Sequence, residues 1–148
     1  MKEYSKALAT GVTETVYVDK AYNLPALTNM VVTLTDNYTI TSADNGKTFL
    51  IGTDAKVITL PATIAGFKVT IINSGADGNN IVTISPAAAD AIHGTTNAST
   101  NVVFGGVDNK DIINTKATAT TGDNVTLLGD GNVGWYVIGC HGIWASEG

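Results

Sequence analysis

The sequence predicts an all-β chain, an antiparallel β-sandwich or β-barrel of many short strands with essentially no helix. Three observations carry that expectation. Val, Ile, Thr, Asn and Gly dominate a chain of 148 residues of which only 14% are charged; β-branched side chains suit a pleated surface, and Gly and Asn suit the turns between strands. Turn residues recur at a spacing of roughly ten residues from Tyr38 onward, the pattern of a sandwich or barrel. Between the turns, apolar and polar residues alternate: Ile58 and Leu60 against Val57 and Thr59, Val69 and Ile71 against Lys68 and Thr70. One face of each strand is therefore expected to be buried.

Taken in order, residues 1–11 mix polar and apolar side chains and close on Gly11, the composition of a frayed terminus unless a partner orders it. Val12–Val18 and Met30–Thr35 read as strands, separated by a loop at Asn23-Leu24-Pro25, because Pro25 cannot donate a ladder hydrogen bond. Further strands are expected at 38–41, 47–52, 56–60, 67–73, 80–85, 101–104, 115–120, 123–129 and 134–140. Asp44-Asn45-Gly46, Gly75-Ala76-Asp77-Gly78-Asn79, Gly105-Gly106 and Gly129-Asp130-Gly131-Asn132 separate them and supply residues for tight turns. Ala87-Ala88-Ala89-Asp90 leans towards helix but is too short to form one. The chain has room for one core, placed at residues 38–140, with residues 1–37 as an N-terminal arm with leading strands and residues 141–148 as a tail.

Charge excludes several function classes. The net charge is −5, and all eight basic residues are Lys. Phosphate and base-edge recognition leans on the Arg fork, so nucleic acid is not an expected partner. Cys140 is alone and cannot close an intrachain disulfide, so packing or oligomerisation must hold the fold, as suits a reducing cytoplasm. Residues 1–6 lack the apolar centre of a signal peptide, and no apolar run approaches the roughly 18 residues that span a bilayer. No membrane partner is expected. The sequons at Asn37, Asn97 and Asn124 read as chance matches in an Asn- and Thr-rich chain.

Parts for catalysis are scarce. Cys140 and His141 are adjacent and point to opposite faces of a strand, while His93 lies far off in the sequence, so a Cys–His nucleophile is not expected. A closed zinc site needs about four such ligands, more than this chain supplies; only a site shared around a symmetry axis escapes that count. Asp77 and Asp130 sit in Gly- and Asn-rich loops without the ordered oxygen series of a calcium loop, and no Gly-rich stretch carries the Lys-Ser/Thr ending of a phosphate loop. Glu3, Glu14 and Glu147 all lie near the termini, which leaves a glycosidase pair without support. The expectation is a non-enzymatic protein with no cofactor, no metal and no catalytic residue. Trp135 and Tyr136 must face opposite sides of their strand. An exposed Ile143-Trp144 tail would be costly, so it is expected to pack or to meet another subunit. Tyr4, Leu8, Tyr17, Tyr22, Ile143 and Trp144 are the candidate interface residues.

An ordered series of patches carries a resemblance. It runs through Ser42-Ala43-Asp44-Asn45-Gly46-Lys47-Thr48-Phe49-Leu50, Ile58-Thr59-Leu60-Pro61, Gly66-Phe67-Lys68-Val69-Thr70-Ile71-Ile72-Asn73 and Asn80-Ile81-Val82-Thr83-Ile84-Ser85-Pro86. It continues through Asp90-Ala91-Ile92-His93-Gly94, Asp123-Asn124-Val125-Thr126-Leu127 and Gly129-Asp130-Gly131-Asn132, into Gly134-Trp135-Tyr136-Val137-Ile138-Gly139. About two-thirds of the chain thus resembles a β-rich module of phage virion proteins, found in capsid decoration proteins and in tail or head fibres. The resemblance implies a virion structural role, commonly as a homotrimer, with no catalytic residues to carry over. Residues 1–37, the tail and the stretch around Asp108-Asn109-Lys110-Asp111 depart from it. A fibre normally carries heptads or shaft repeats, and neither occurs here. The sequence therefore favours a capsid decoration protein on the outer surface of a tailed-phage head, assembled in the host cytoplasm. Its partners would be the major capsid protein and two further copies of itself, with the N-terminal segment reaching the shell.

Overall fold

The computed structural model describes residues 2–7, 13–18, 30–95 and 103–147, in two compact units, 1–30 and 31–148. In the first, β1 (Lys2–Ala7) and β2 (Thr13–Val18) form an antiparallel hairpin with Tyr4 opposite Val16 and Tyr17 opposite Glu3. Residues 2–7 are thus a paired strand where a frayed terminus was expected.

The second unit is all-β, as its composition predicts. Its strands are β3 (Val31–Leu34), β4 (Tyr38–Thr39), β5 (Thr48–Ile51), β6 (Lys56–Thr59), β7 (Lys68–Asn73), β8 (Val82–Ser85), β9 (Ala91–Thr95), β10 (Val103–Asp108), β11 (Ile112–Asn114), β12 (Asn124–Gly129), β13 (Gly134–His141) and β14 (Trp144–Ser146). They form a seven-stranded sheet in the order β10-β9-β13-β12-β7-β5-β3 and a five-stranded sheet in the order β14-β11-β8-β6-β4. The helical content of the described residues is one 3-10 turn at Ser42–Asp44.

Strand direction departs from the antiparallel expectation. β3, β5 and β7 run parallel in the larger sheet, β4, β6 and β8 run parallel in the smaller, and β13 runs parallel to β9. Ladders involving β11 and β12, and the β9–β10 pair, are antiparallel. The cause lies in the connections. From β3 to β8 the chain crosses to the opposite sheet after every strand, so each crossover that a parallel pair needs is itself a strand of the other sheet. The result is a short two-sided coil closed by β9–β14.

Alternation places the core. Phe49, Ile51, Val69, Ile71, Val125, Leu127 and Trp135 from the larger sheet face Ile58, Val82, Ile84, Ile112 and Trp144 from the smaller, all essentially inaccessible to solvent. Phe67 meets Trp135 edge to face with ring centroids 5.7 Å apart, a favoured aromatic geometry. Trp135 is buried while Tyr136 is 42% exposed, as strand geometry requires.

Three local assignments differ from the sequence reading. Residues 115–120 form a turn rather than a strand: Thr118 N–H donates to the Thr115 carbonyl, and the two hydroxyls lie 2.8 Å apart, local bonding that competes with a ladder. Gly105 and Gly106 lie inside β10, where the register slips between Gly105 and Asp108, so the pair serves a β-bulge rather than a separator. β9, β11 and β14 were not expected as strands; each is short, and their ladders include partners far away in sequence.

Candidate functional surface

The candidate reactive residues do not assemble. Cys140 is half-buried against the core and His141 beside it is exposed. His93 stacks on Tyr136, with rings 5.0 Å apart and 18° from parallel. No group of three or more His, Cys, Asp or Glu among the described residues is placed to hold a metal ion, and no helix is long and apolar enough to cross a membrane.

The loop carboxylates are occupied by turn chemistry. Asp130 Oδ1 accepts N–H bonds from Asn132, Val133 and Gly134 at 2.8–3.0 Å, and these bonds, that from Asn132 foremost, hold its carboxyl below the ordinary value. Asp77 Oδ1 accepts from Thr121 N–H at 2.7 Å, with the same consequence.

Asp44 is a buried carboxylate with four donors around it. It closes the 3-10 turn that carries the chain from β4 to β5, accepting from Thr41 N–H (2.8 Å), Thr41 Oγ1 (3.0 Å), Tyr38 Oη (3.1 Å) and Lys47 Nζ (2.7 Å). Burial pushes this carboxyl up, but the bonds from Lys47, Thr41 and Tyr38 outweigh burial and hold it below its ordinary value. Burial and the Asp44 hydrogen bond together raise the Tyr38 hydroxyl.

A second polar cluster pins the two sheets together. Asn73 on β7 faces inward from the larger sheet and Asn114 on β11 from the smaller; Asn73 Nδ2 donates to Asn114 Oδ1 at 2.6 Å across the sandwich. Asn114 Nδ2 in turn donates to Asp123 Oδ2 and to the Ile143 carbonyl. Asn80 Nδ2 donates to Asn73 Oδ1 and to the Ile51 carbonyl. All four side chains are buried, and a network bonded this fully specifies one register of sheet on sheet. The buried side-chain atoms left without a hydrogen-bond partner among the described residues are His93 Nε2 and Trp135 Nε1.

What remains is surface. The outward positions of β3, β5, β7, β12 and β13 form cross-strand rows: Thr33-Leu50-Ile72-Asn124, Val31-Thr48-Thr70-Thr126, and Lys68-Leu128-Tyr136 with His93 stacked beyond. Lys68 is the one ionised side chain in these rows, although the chain carries 13 acidic residues. The one acidic residue in any strand of this sheet is Asp108, at the end of edge strand β10. Val31 (58%) and Tyr136 (42%) are large apolar residues exposed in these rows, and Ile138 (54%) is exposed at the register slip of β13 beside them. The outer face of the smaller sheet, with Thr39, Thr59, Ser85, Val57, Thr83 and Ile113, is also uncharged, but no large apolar residue there is exposed.

The six interface candidates divide. Trp144 is fully buried in its own chain, its indole N–H donating to the His141 carbonyl at 3.0 Å, so it offers nothing to another subunit. Ile143 beside it is 40% exposed. Tyr4 and Tyr17 lie on β1 and β2; Leu8 and Tyr22 fall outside the described residues. Sequence reasoning missed the exposed side of β13: Tyr136 has the parity opposite to buried Trp135, but the register slips between Val137 and Gly139, so alternation does not carry on to Ile138, and Cys140 packs against the core. Comparison with known proteins returns no family, no curated protein and no solved structure that matches this chain.

Proposed function

We propose that this chain is a virion structural protein, a capsid decoration protein that adheres to the outside of a preformed tailed-phage head and ties neighbouring capsomers together without enzymatic activity. The observation that carries the reading is the outer face of the larger sheet, almost free of charge, with Val31, Tyr136 and Ile138 exposed on its strands. Such a face suits contact between copies of the chain, and so the linked oligomer that holds to a shell through its other surfaces. The patches that resemble phage virion modules support it from the sequence side. Many weak contacts from a linked oligomer add up through high effective concentration. Purified protein mixed with undecorated heads is expected to co-sediment with them in many copies and to raise the temperature at which they rupture. Heads that sediment without the protein would overturn the reading.

One observation favours a second reading, a module of a tail or head fibre. The coil from β3 to β8 is parallel and two-sided, the geometry by which repeat folds extend along one axis. Immunogold labelling confined to the tail would select it.

A further inference from the structure

We infer that the outer face of the seven-stranded sheet is where copies of this chain meet, with Tyr136 and Ile138 as its exposed apolar anchors on β13. The inference rests on the reading above of a homo-oligomeric shell protein and deepens it by assigning the surface.

Charge selects the occupant. The protein carries −5 overall, yet the outward rows of β3, β5, β7, β12 and β13 hold no carboxylate and one ammonium, Lys68, at the end of its strand. A partner bringing ionised groups to this face would strip them of water and offer them almost nothing to pair with. The fitting partner is an equally uncharged surface, and neighbouring copies turned around a threefold axis, so that one side of this face meets the other side of the next copy's, meet that requirement. The acidic residues lie off these rows, so like-charge repulsion between subunits is screened by water and salt while the apolar rows close.

Size is consistent with that assignment. Five adjacent strands at a spacing of about 4.8 Å, each about five residues long, give a footprint of roughly 400 Å², the scale at which a patch on a soluble protein marks an interaction site. A standard interface takes about 800 Å² from each partner, so residues beyond these rows, exposed Ile138 and His141 among them, must join the contact. The smaller sheet's outer face is the natural comparison: it is as poor in charge but has no large apolar residue exposed.

Local bonding shows the face is preformed. Thr70 and Thr126 spend their hydroxyls on each other at 3.0 Å, which leaves the middle of the face with little unmet hydrogen-bonding demand. The His93 ring lies flat on Tyr136 and restricts the tyrosine, lowering the entropy lost when a neighbour covers it.

The test is light scattering on the full-length protein at micromolar concentration, with circular dichroism to confirm the fold of each variant. The wild type is expected at about three times the chain mass of 15.3 kDa. Ile138→Asp, at a position 54% exposed, is expected to fall to the mass of one chain, and Tyr136→Lys serves as a second probe should that variant misfold. Thr83→Asp, on the outer face of β8, is expected to keep the wild-type mass. If folded Ile138→Asp and Tyr136→Lys both keep the wild-type mass, or if Thr83→Asp dissociates in their place, the assignment of this face is overturned while the homo-oligomer reading stands. A wild type that is itself monomeric overturns both and leaves the face to another protein.

Discussion

Asp44 illustrates how much one buried carboxylate can hold in a chain with few charges. Its replacement by Ala removes the acceptor for Tyr38, Thr41 and Lys47 at once and leaves donors on exposed and half-buried residues to water, which costs about 1–2 kcal/mol; equilibrium denaturation with an unchanged m-value measures it. The pH dependence follows from the lowered carboxyl. A group whose folded value lies below its unfolded value stabilises above the unfolded value, and that contribution drains away as pH falls. Stability is therefore expected to be full above about pH 5 and to decline through and below the ordinary carboxylate value of about 3.9, a decline that Asp44→Asn flattens. Asn114 belongs at the same scale. Asn114→Ala removes one of two partners from Asn73 Nδ2, which keeps the Asn80 carbonyl, and from Asp123 Oδ2, which keeps Thr120 N–H, and is expected to cost about 1–3 kcal/mol, again read from denaturation midpoints. Little of this was legible in the sequence. Asp44-Asn45-Gly46 reads as a turn and is one, but nothing local reveals that Asn73 and Asn114 meet, because their contact spans 41 residues and is set by how the sheets stack. Asn near a strand end reads equally as turn chemistry.

At the scale of elements, the parallel β9–β13 pairing depends on a close backbone approach. Gly134 has φ +148°, and a Cβ there would sit 2.1 Å from the Ala91 carbonyl oxygen. Gly134→Ala must push β13 away from β9 and is expected to cost roughly 2 kcal/mol or more, with faster amide exchange confined to those strands. Strands with strong alternation were legible: β5, β6, β7, β8, β12 and β13 lie within or nearly within their expected spans, because period two is written in single residues such as Val69 and Ile71. β11 and β14, of three residues each, carry too little pattern to be read and exist because Ile112 and Trp144 have a core to join. Strand direction was not legible either. Short loops such as Gly52–Ala55 read as hairpins, yet here they turn the chain over into the other sheet, a choice made by sheet packing and not by the loop.

For the molecule as a whole, composition sufficed for the fold class and for a single main core, since a Thr-, Val- and Ile-rich chain with few charges has no other economical solution. The working surface was read less well. Emphasis fell on terminal aromatics, whereas Trp144 belongs to the core and the exposed apolar rows lie on β13 and its neighbours, visible only once the register of five strands is known. The N-terminal hairpin forms a compact unit distinct from the sandwich, and in the proposed role it reaches the shell. Deleting residues 1–11 removes β1 and is expected to abolish binding to heads while leaving the oligomer mass unchanged; retained binding would place attachment elsewhere. Adhesion to a capsid surface, as proposed, is tested by cryo-electron microscopy of tailed-phage particles assembled in the presence of this chain. The account predicts density for the two-sheet sandwich in many copies on the outside of the head, grouped in threes with the outer faces of the larger sheets turned towards one another. Density for the chain confined to the tail, or a head surface bare of it, would contradict the account.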